Sequence, residues 1–391
     1  MCDAPSGDII ACGDIMNKVF SAAWRFAKRE AVLCIAVLLA VISMCFVPPD
    51  IGYLDYIDWD TIAQLFALMT VMKGFQSAGL FSFLAHKLLK RADSTRKIML
   101  VLVFLPFFFS MVATNDVALI TFVPFALVVL RLSDSLRLAV PLVILQTLAA
   151  NLGSMLTPMG NPQNLYLYAQ SGMSFGELVL TMLPYCALSA VGLFAVVMCF
   201  RSTPVACGVP SAPLGSVFGL VWPAVGFVLC MLALFDIIPP LIVAAALLVF
   251  GLIAARGVLA KVDYSLLGTF AALFIFIGNI GNIGPFRDFL SSVISGRETP
   301  VAVLASQVIS NVPAALLLSG FSDGWHALVV GCNLGGLGTL IASMASLISY
   351  KEIARNFPEK RVRYLLVFTA YNVAFLAVLM GMWALLEFVI L

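Results

Sequence analysis

The stretch A-T-N-D-V-A at residues 113–118 is followed by N-L-G-S-M-L-T at residues 151–157. The same order recurs as I-S-N-V-P-A at residues 309–314 and N-L-G-G-L-G-T at residues 333–339. All of these stretches lie within strongly apolar sequence. Small polar side chains and glycines that recur at membrane depth are typical of transporters built from two inverted repeats. The pattern therefore predicts a polar site near the middle of a bilayer.

The composition places the chain in a membrane. Of its 391 residues, 62% are hydrophobic and 11% are charged, whereas soluble domains carry about 25% charged residues. Apolar stretches of about 20 residues recur from Ala31 onward, and each can cross a hydrocarbon core about 30 Å thick. The predicted fold class is an all-α polytopic membrane protein with two inverted-topology repeats. Each repeat would contain a re-entrant helical hairpin and a discontinuous helix.

The chain divides into four predicted parts. They are a cytoplasmic N-terminal segment at 1–30, which includes an amphipathic helix at 13–29; repeat 1 at 31–200, with its hairpin at 98–131; a linking span at 201–237; and repeat 2 at 238–391, with its hairpin at 300–322. Residues 57–81 align with 262–286 without a gap, which pairs Asp58 with Asp263 and Gly79 with Gly284. The linking span would turn the second copy over in the membrane.

The distribution of positive charge supports this layout. The predicted full spans are 31–48, 61–86, 138–169, 178–200, 216–235, 238–255, 264–284, 325–349 and 364–390. With the N-terminus in the cytoplasm and the C-terminus outside, all of the 22 Lys and Arg except Arg287, Arg297 and Lys73 fall on the cytoplasmic side, as the positive-inside rule requires. A single span at 300–322 would break that rule, so we predict a hairpin there. The expected location is the inner or cytoplasmic membrane.

The two hairpin tips are the first candidate site residues. Thr114, Asn115, Ser310 and Asn311 offer hydroxyl and amide groups, and the half-helix that follows each tip directs partial positive charge toward a bound anion. Their oxygens also suit a sodium ion, which we expect near Thr114, Asn115 and Ser154. The alternative is simple helix capping. If the tips form one site, Asn115 and Asn311 should line one cavity.

The discontinuous helices supply the remaining uncharged candidates. Two prolines and two glycines interrupt residues 151–164, and glycines interrupt the second copy. Ser343 occupies the place of Asn161. The candidate substrate or ion ligands here are Asn151, Ser154, Thr157, Asn161, Asn164, Asn333, Thr339 and Ser343. For Gly335 and Gly336, close helix packing is an alternative.

Two charged residues at membrane depth complete the candidate site. Asp116 stands at the first tip, where the second copy has Val312, and Lys73 lies within a span, where the second copy has Gly278. An ionisable residue inside the membrane indicates function. Asp116 could bind a cation or carry a proton. Lys73 could pair with Asp116, attract an anion or extend toward the interface.

The tips, the G-N-P-Q-N stretch at 160–164 and the repeat resemble the ion transporter superfamily. That group includes citrate and other carboxylate permeases, divalent anion/sodium symporters, arsenite permeases and sodium/proton antiporters. In the divalent anion symporters, a Ser-Asn-Thr motif at each tip contacts sodium and carboxylate. The resemblance places these contacts at Thr114-Asn115-Asp116 and Ser310-Asn311-Val312. The Asn-Asp pair of the first tip is similar to the arsenite-permease branch.

The sequence therefore predicts a secondary active transporter of a small anion or oxyacid, coupled to sodium or protons. A sodium/proton antiporter that uses Asp116 is the first alternative, and a passive anion channel is an alternative of another class. No nucleophile–base pair or set of metal ligands predicts an enzyme, and no phosphate-binding loop predicts ATP drive. The expected partners are the lipid bilayer and the substrate, without nucleic acid. A homodimer is left open.

Overall fold

The computed structural model describes residues 30–90, 92–205 and 213–390, and these residues contain helices but no β-strand. The predicted amphipathic helix at 13–29 lies outside the described residues, as does all of the segment 1–30 except Glu30. The division of the chain into two repeats with a linking span stays a prediction.

Seventeen helices of nine or more residues are described, and they are numbered here in chain order. In the first half of the chain they are α1 (Ala31–Ser43), α2 (Trp59–Ser77), α3 (Leu80–Leu89), α4 (Thr95–Phe109), α5 (Asn115–Leu132), α6 (Ala139–Ser154), α7 (Pro162–Ser171) and α8 (Phe175–Met198). The others are α9 (Val217–Leu234), α10 (Pro240–Ala254), α11 (Tyr264–Gly281), α12 (Gly284–Ile294), α13 (Glu298–Ile309), α14 (Asn311–Ser319), α15 (Trp325–Leu334), α16 (Met344–Asn356) and α17 (Arg361–Leu385). Short helical turns at Tyr53–Tyr56, Leu136–Leu138, Pro158–Gly160, Arg256–Leu259, Pro358–Lys360 and Leu386–Ile390 connect or extend them.

The predicted fold class is confirmed as an all-α polytopic membrane protein. In the described part of the chain, six helices are long and apolar enough to cross a bilayer: α5, α6, α8, α9, α11 and α17, some of them with flanking turns. Shorter apolar helices accompany them, namely α1, α3, α10, α13 and α15.

Helix α6 lies at the centre of the protein. Its spanning segment is 78% buried, whereas those of α8 and α9 are 28% buried and expose large aliphatic and aromatic side chains. Helix α6 packs against both arms of the first hairpin, α4 and α5, and also against α16. Helices α8 and α9 therefore lie at the apolar periphery of the protein, whereas α6 lies in its interior.

The predicted breaks in the helices are confirmed. The chain turns between α4 and α5 at Thr114 and between α13 and α14 at Ser310, which has a φ of +73°. Helix α6 stops at Ser154 and α7 begins at Pro162, while α15 stops at Leu334 and α16 begins at Met344. The arms of the second hairpin, with 12 and 9 residues, are too short to cross a bilayer. Helix α5, with 18 residues, is long enough by itself, so the re-entrant form of the first hairpin stays a prediction.

One predicted span requires correction. Residues 61–86 do not form one helix, because Gly79 has a φ of +72°, a left-handed conformation that ends α2 and starts α3 in a new direction. The N–H of Gly215 donates to the carbonyl oxygen of Ala78 at 2.9 Å and so satisfies one group at the break. The aligned position, Gly284, begins α12 after the end of α11.

Close backbone packing at Gly153 gives the first prediction. A Cβ atom at Gly153 would lie 2.0 Å from the carbonyl oxygen of Phe107 in α4. We therefore expect Gly153→Ala to lower the free energy of unfolding by about 1–3 kcal/mol, the usual cost of overpacking. Thermal unfolding of the detergent-solubilised protein measures the effect.

The matched control is Gly381→Ala in α17, where no atom lies within 4 Å of the added Cβ. Alanine favours a helix interior by up to about 1 kcal/mol over glycine, so this variant should be at least as stable as the parent. Equal stability of the two variants would contradict the packing argument.

Candidate substrate site

A cavity lies where α2, α5, α7 and α11 meet. Its polar lining residues are Lys73, Thr114, Asp116, Asn161 and Asp263. The rest of its wall is apolar: Leu65, Leu68, Met69, Val117, Ile120, Met159, Pro162, Leu165 and Leu266. A few polar groups converging in a mostly apolar cavity are typical of small-molecule sites.

The charged groups of the cavity do not neutralise one another by direct contact. Among the described residues, Lys73 forms no ion pair with Asp116; its Nζ donates to Oε1 of Gln76 at 3.2 Å. Gln76 in turn donates from Nε2 to Oγ1 of Thr121 at 2.9 Å, which holds it against α5. Asp116 has a buried Oδ1 atom without a hydrogen-bond partner. Both charges therefore remain available to a ligand in the cavity.

Three helices begin at the wall of this cavity: α11, whose N-cap is the acidic Asp263, and two helices with uncharged N-caps. Thr114 is the N-cap of α5 and Asn161 is the N-cap of α7. The side chain of Thr114 makes no capping bond, whereas Oδ1 of Asn161 accepts from the N–H of Asn164 at 3.0 Å. The partial positive charge at both helix starts therefore favours an anion in the cavity.

Asn151 connects the two hairpin tips. Its Oδ1 accepts from Nδ2 of Asn115 at 3.0 Å and from Oγ of Ser343 at 3.2 Å. The residue before Ser343, Ala342, accepts from the backbone N–H of Asn311 at 3.0 Å. The two tips, 196 positions apart, are thus joined through two side chains, those of Asn151 and Ser343, and one short piece of backbone.

A second buried cluster joins the two helix breaks. Asn161 donates from Nδ2 to Oγ of Ser154 at 3.0 Å and to Oδ1 of Asn333 at 3.3 Å. Asn333 donates from its own amide to Oδ1 of Asn164 at 2.6 Å. The Asn164 amide also donates to three carbonyl oxygens, those of Ser154, Met155 and Thr157, at 3.4, 3.1 and 3.3 Å. These carbonyls lie where α6 ends, and the Thr157 carbonyl also accepts from the N–H of Gly160 at 3.3 Å.

The contacts between the breaks are reciprocal. Asn151 of the first break bonds to Ser343 of the second, and Asn333 of the second break bonds to Asn161 of the first. Asn151 corresponds to Asn333, and Asn161 corresponds to Ser343, in the sequence alignment. Each of the two hydrogen bonds therefore joins a residue of one break to the residue that corresponds, in the other break, to its partner's equivalent position. Two similar repeats that face each other would produce this pairing. The inverted orientation itself stays a prediction.

The structure brings most of the predicted residues together, but not all in one place. Thr114 and Asp116 line this cavity, whereas Asn115 and Asn311 are not among its lining residues, and the expectation that both amides line one cavity stays a prediction. Both amides are instead buried beside the helix breaks. Ser310 donates from Oγ to the carbonyl oxygen of Ala342 at 3.4 Å.

Three further residues differ from the predicted arrangement. Thr157 donates to the carbonyl oxygen of Met111, next to the first tip. Thr339 is exposed and donates from Oγ1 to the carbonyl oxygen of Gln307 at 3.2 Å, away from the amide cluster. Ser154 donates to the carbonyl oxygen of Asn151 at 2.9 Å and does not line the cavity. A sodium site at Thr114, Asn115 and Ser154 stays a prediction.

Two residues of the site were missed in the sequence. Asp263 lines the cavity, and its alignment with Asp58 was the available signal, since both cap a helix start. Gln307 in α13 donates to the carbonyl oxygens of Gly335 and Leu337 at 3.0 and 2.8 Å and accepts from the N–H of Thr339 at 2.9 Å. The available signal in the sequence was a polar amide side chain within the otherwise apolar first arm of the second hairpin.

Comparison with known proteins assigns the family. The model of the family described as "Citrate transporter" matches residues 19–324. An inner membrane protein of Escherichia coli is 33% identical over 314 residues, which cover 75% of this chain and 80% of that protein. An uncharacterized transporter of Methanocaldococcus jannaschii is 31% identical over 300 residues, covering 75% of this chain and 81% of that protein.

A more partial match is found in rice. A silicon efflux transporter of Oryza sativa is 33% identical over 161 residues, which cover 40% of this chain and 32% of that protein. The broken helices, the polar cavity and these matches agree, and the predicted resemblance to citrate-permease-like transporters is confirmed. The chain is a membrane transporter that belongs to the citrate transporter family.

Proposed function

We propose that this protein is a secondary active transporter that moves a small anion or oxyacid by alternating access, driven by sodium or protons. The observation that carries the proposal is the cavity lined by Lys73, Thr114, Asp116 and Asn161, at the start of two broken helices. A cationic side chain and two helix N-termini offer an anion a favourable potential in surroundings where charge is poorly solvated.

The charges around the cavity support coupling to a cation. Lys73 contributes one positive charge, while Asp116 and Asp263 contribute one negative charge each when ionised. An anion that entered alone would face an excess of negative charge in apolar surroundings. A sodium ion or a proton that accompanies the anion removes that electrostatic penalty. Binding of the anion together with the cation is therefore favoured over binding of the anion or the cation alone.

The relatives support a class of substrate. The family carries the name of citrate, and the rice relative is named for silicon efflux. Both names are compatible with a small solute, and we propose an oxygen-rich one. The Thr114 hydroxyl and the Lys73 ammonium offer hydrogen-bond donors to such a solute, while the apolar remainder of the wall limits its size.

One observation favours a second function, sodium/proton antiport. The Oδ1 atom of Asp116 is buried without a hydrogen-bond partner, which leaves it free to bind either a proton or a sodium ion. Under this alternative, a proton gradient would drive sodium movement in vesicles that contain no substrate anion. If the protein is instead an anion symporter, sodium should move only when the substrate anion is present.

Uptake by proteoliposomes tests the proposed function. A panel of carboxylates and inorganic oxyacids would be offered under an imposed sodium gradient, a proton gradient or neither. We expect accumulation of one class of solute against its gradient when one cation gradient is present. Equilibration of the solute to equal concentrations under every condition would indicate a passive channel instead.

The tips give the second prediction. We expect Asn115→Ala and Asn311→Ala each to abolish transport, because both amides sit where the tips meet the helix breaks and removing one leaves buried partners unsatisfied. The variants should remain folded in the membrane, which size-exclusion chromatography checks. Asn356→Ala is the control, since that exposed amide bonds only to Glu352. Wild-type transport by both variants would contradict the prediction and would indicate that the tip residues only cap helices.

Asp116 gives the third prediction. We expect Asp116→Asn to lose gradient-driven accumulation while retaining exchange of substrate across the membrane, because the amide keeps the shape but cannot carry a proton or a cation's countercharge. Counterflow and accumulation assays in proteoliposomes separate the two activities. Asp134→Asn, at an exposed aspartate after α5, is the matched control. Accumulation in Asp116→Asn with the wild-type dependence on pH and sodium would place the coupling ion elsewhere.

A further inference from the structure

A second cavity lies next to the first one. Its polar lining residues are Asp58, Asp60, Thr61, Gln64, Gln170 and Asp236. The two cavities do not form one open space. Leu165 of α7 is a lining residue of both.

The two cavities follow one another along α2. Thr61 and Gln64, in the first two turns of this helix, line the second cavity, whereas Leu65, Met69 and Lys73 line the first. At 1.5 Å per residue, Gln64 and Lys73 are separated by roughly 14 Å along the helix axis. The cavities are therefore arranged end to end beside α2.

The same order appears in reverse on α7, which packs against α2. Asn161 and Pro162 line the first cavity, and Tyr168, Ala169 and Gly172 line the second. Leu165 lies between these two sets in the chain and lines both cavities. Its side chain is 2% exposed, so it fills the space where the cavities meet.

We propose that the two cavities are two halves of one permeation path between α2 and α7, and that Leu165 is the side chain that closes it in this conformation. The inference rests on the proposed transport function. A small apolar constriction excludes ions and polar solutes, because entering it requires them to shed water without gaining a hydrogen bond. A leucine at this point therefore separates the Asp58 end of the path from the Asp116 end.

The position of Leu165 also connects the closure to the candidate substrate site. Leu165 lies in the first turn of α7, and its N–H donates to the carbonyl oxygen of Asn161 at 3.2 Å. The preceding residue, Asn164, accepts from the Asn333 amide and caps the end of α6. A ligand that pulls on Asn161 therefore moves the turn that carries Leu165, so the closing residue responds to occupancy.

Accessibility of a reporter cysteine tests this closure without any substrate. Met69→Cys would be made in a background whose nine native cysteines are replaced by alanine or serine. A membrane-impermeant thiol reagent is then added from the Asp58 side of proteoliposomes. With Leu165 in place, we expect no labelling from that side. In the Leu165→Ala variant, labelling should rise severalfold because the constriction is opened.

Two companion variants separate closure from general loosening of α7. Leu167→Ala removes an equally buried leucine that lines neither cavity, and it should leave labelling unchanged. Leu165→Met keeps the volume and should restore closure. Labelling from the Asp58 side with Leu165 in place, no increase in Leu165→Ala, or an equal increase in Leu167→Ala would each overturn the proposal. Because this readout needs no solute, it stays decisive even if the proposed substrate class is wrong.

Discussion

The structure depends on one constraint: a helix that stops inside an apolar interior must find internal partners for its free backbone groups. At the two long breaks, helices α6 and α15 end and helices α7 and α16 begin. A single amide closes each long break, Asn164 for the carbonyls at the end of α6 and Gln307 for those that follow α15. Leaving one such carbonyl unpaired would cost about 1–3 kcal/mol. The polar clusters are thus required by the breaks before any ligand is considered.

That requirement brings the two halves of the chain together. The amides that satisfy one break also reach across to the other, as the pairs Asn151–Ser343 and Asn161–Asn333 show. A change at one break is therefore transmitted to the other through short, directional bonds. For a transporter of this family, such a connection offers a physical route by which occupancy of the site could alter the packing of both halves.

The charged part of the site is not shared equally between the halves. Lys73 and Asp116 belong to the first copy, and their counterparts are Gly278 and Val312. Gly278 leaves no room for a lysine, since a Cβ atom there would lie 2.4 Å from the ring of Tyr56. Asp263 is the contribution of the second half to the charged cavity. The hydrogen bonds between the breaks are thus paired, whereas two of the three charged residues of the cavity come from the first half of the chain.

The sequence by itself determined the membrane class, the positions of the tips and the helix breaks. These follow from local physics: apolar length sets spans, while Pro158, Pro162 and the glycines forbid a continuous helix. It also identified Lys73 and Asp116, because a charge at membrane depth stands out against apolar neighbours. The turn at Gly79 was missed because an isolated glycine is tolerated within a helix and only its left-handed φ ends one.

Only the tertiary structure decided which candidates share a space. Asp263 resembled a helix cap in the sequence, and its place beside Lys73 depends on how α11 packs against α2. Asn115 resembled a ligand, yet the packing of α5 on α6 directs its amide to Asn151. Leu165 was one leucine among many, and its place between two cavities comes from the packing of α7 on α2. Contacts between residues far apart in the chain leave no local pattern, so they emerge only when the helices are assembled.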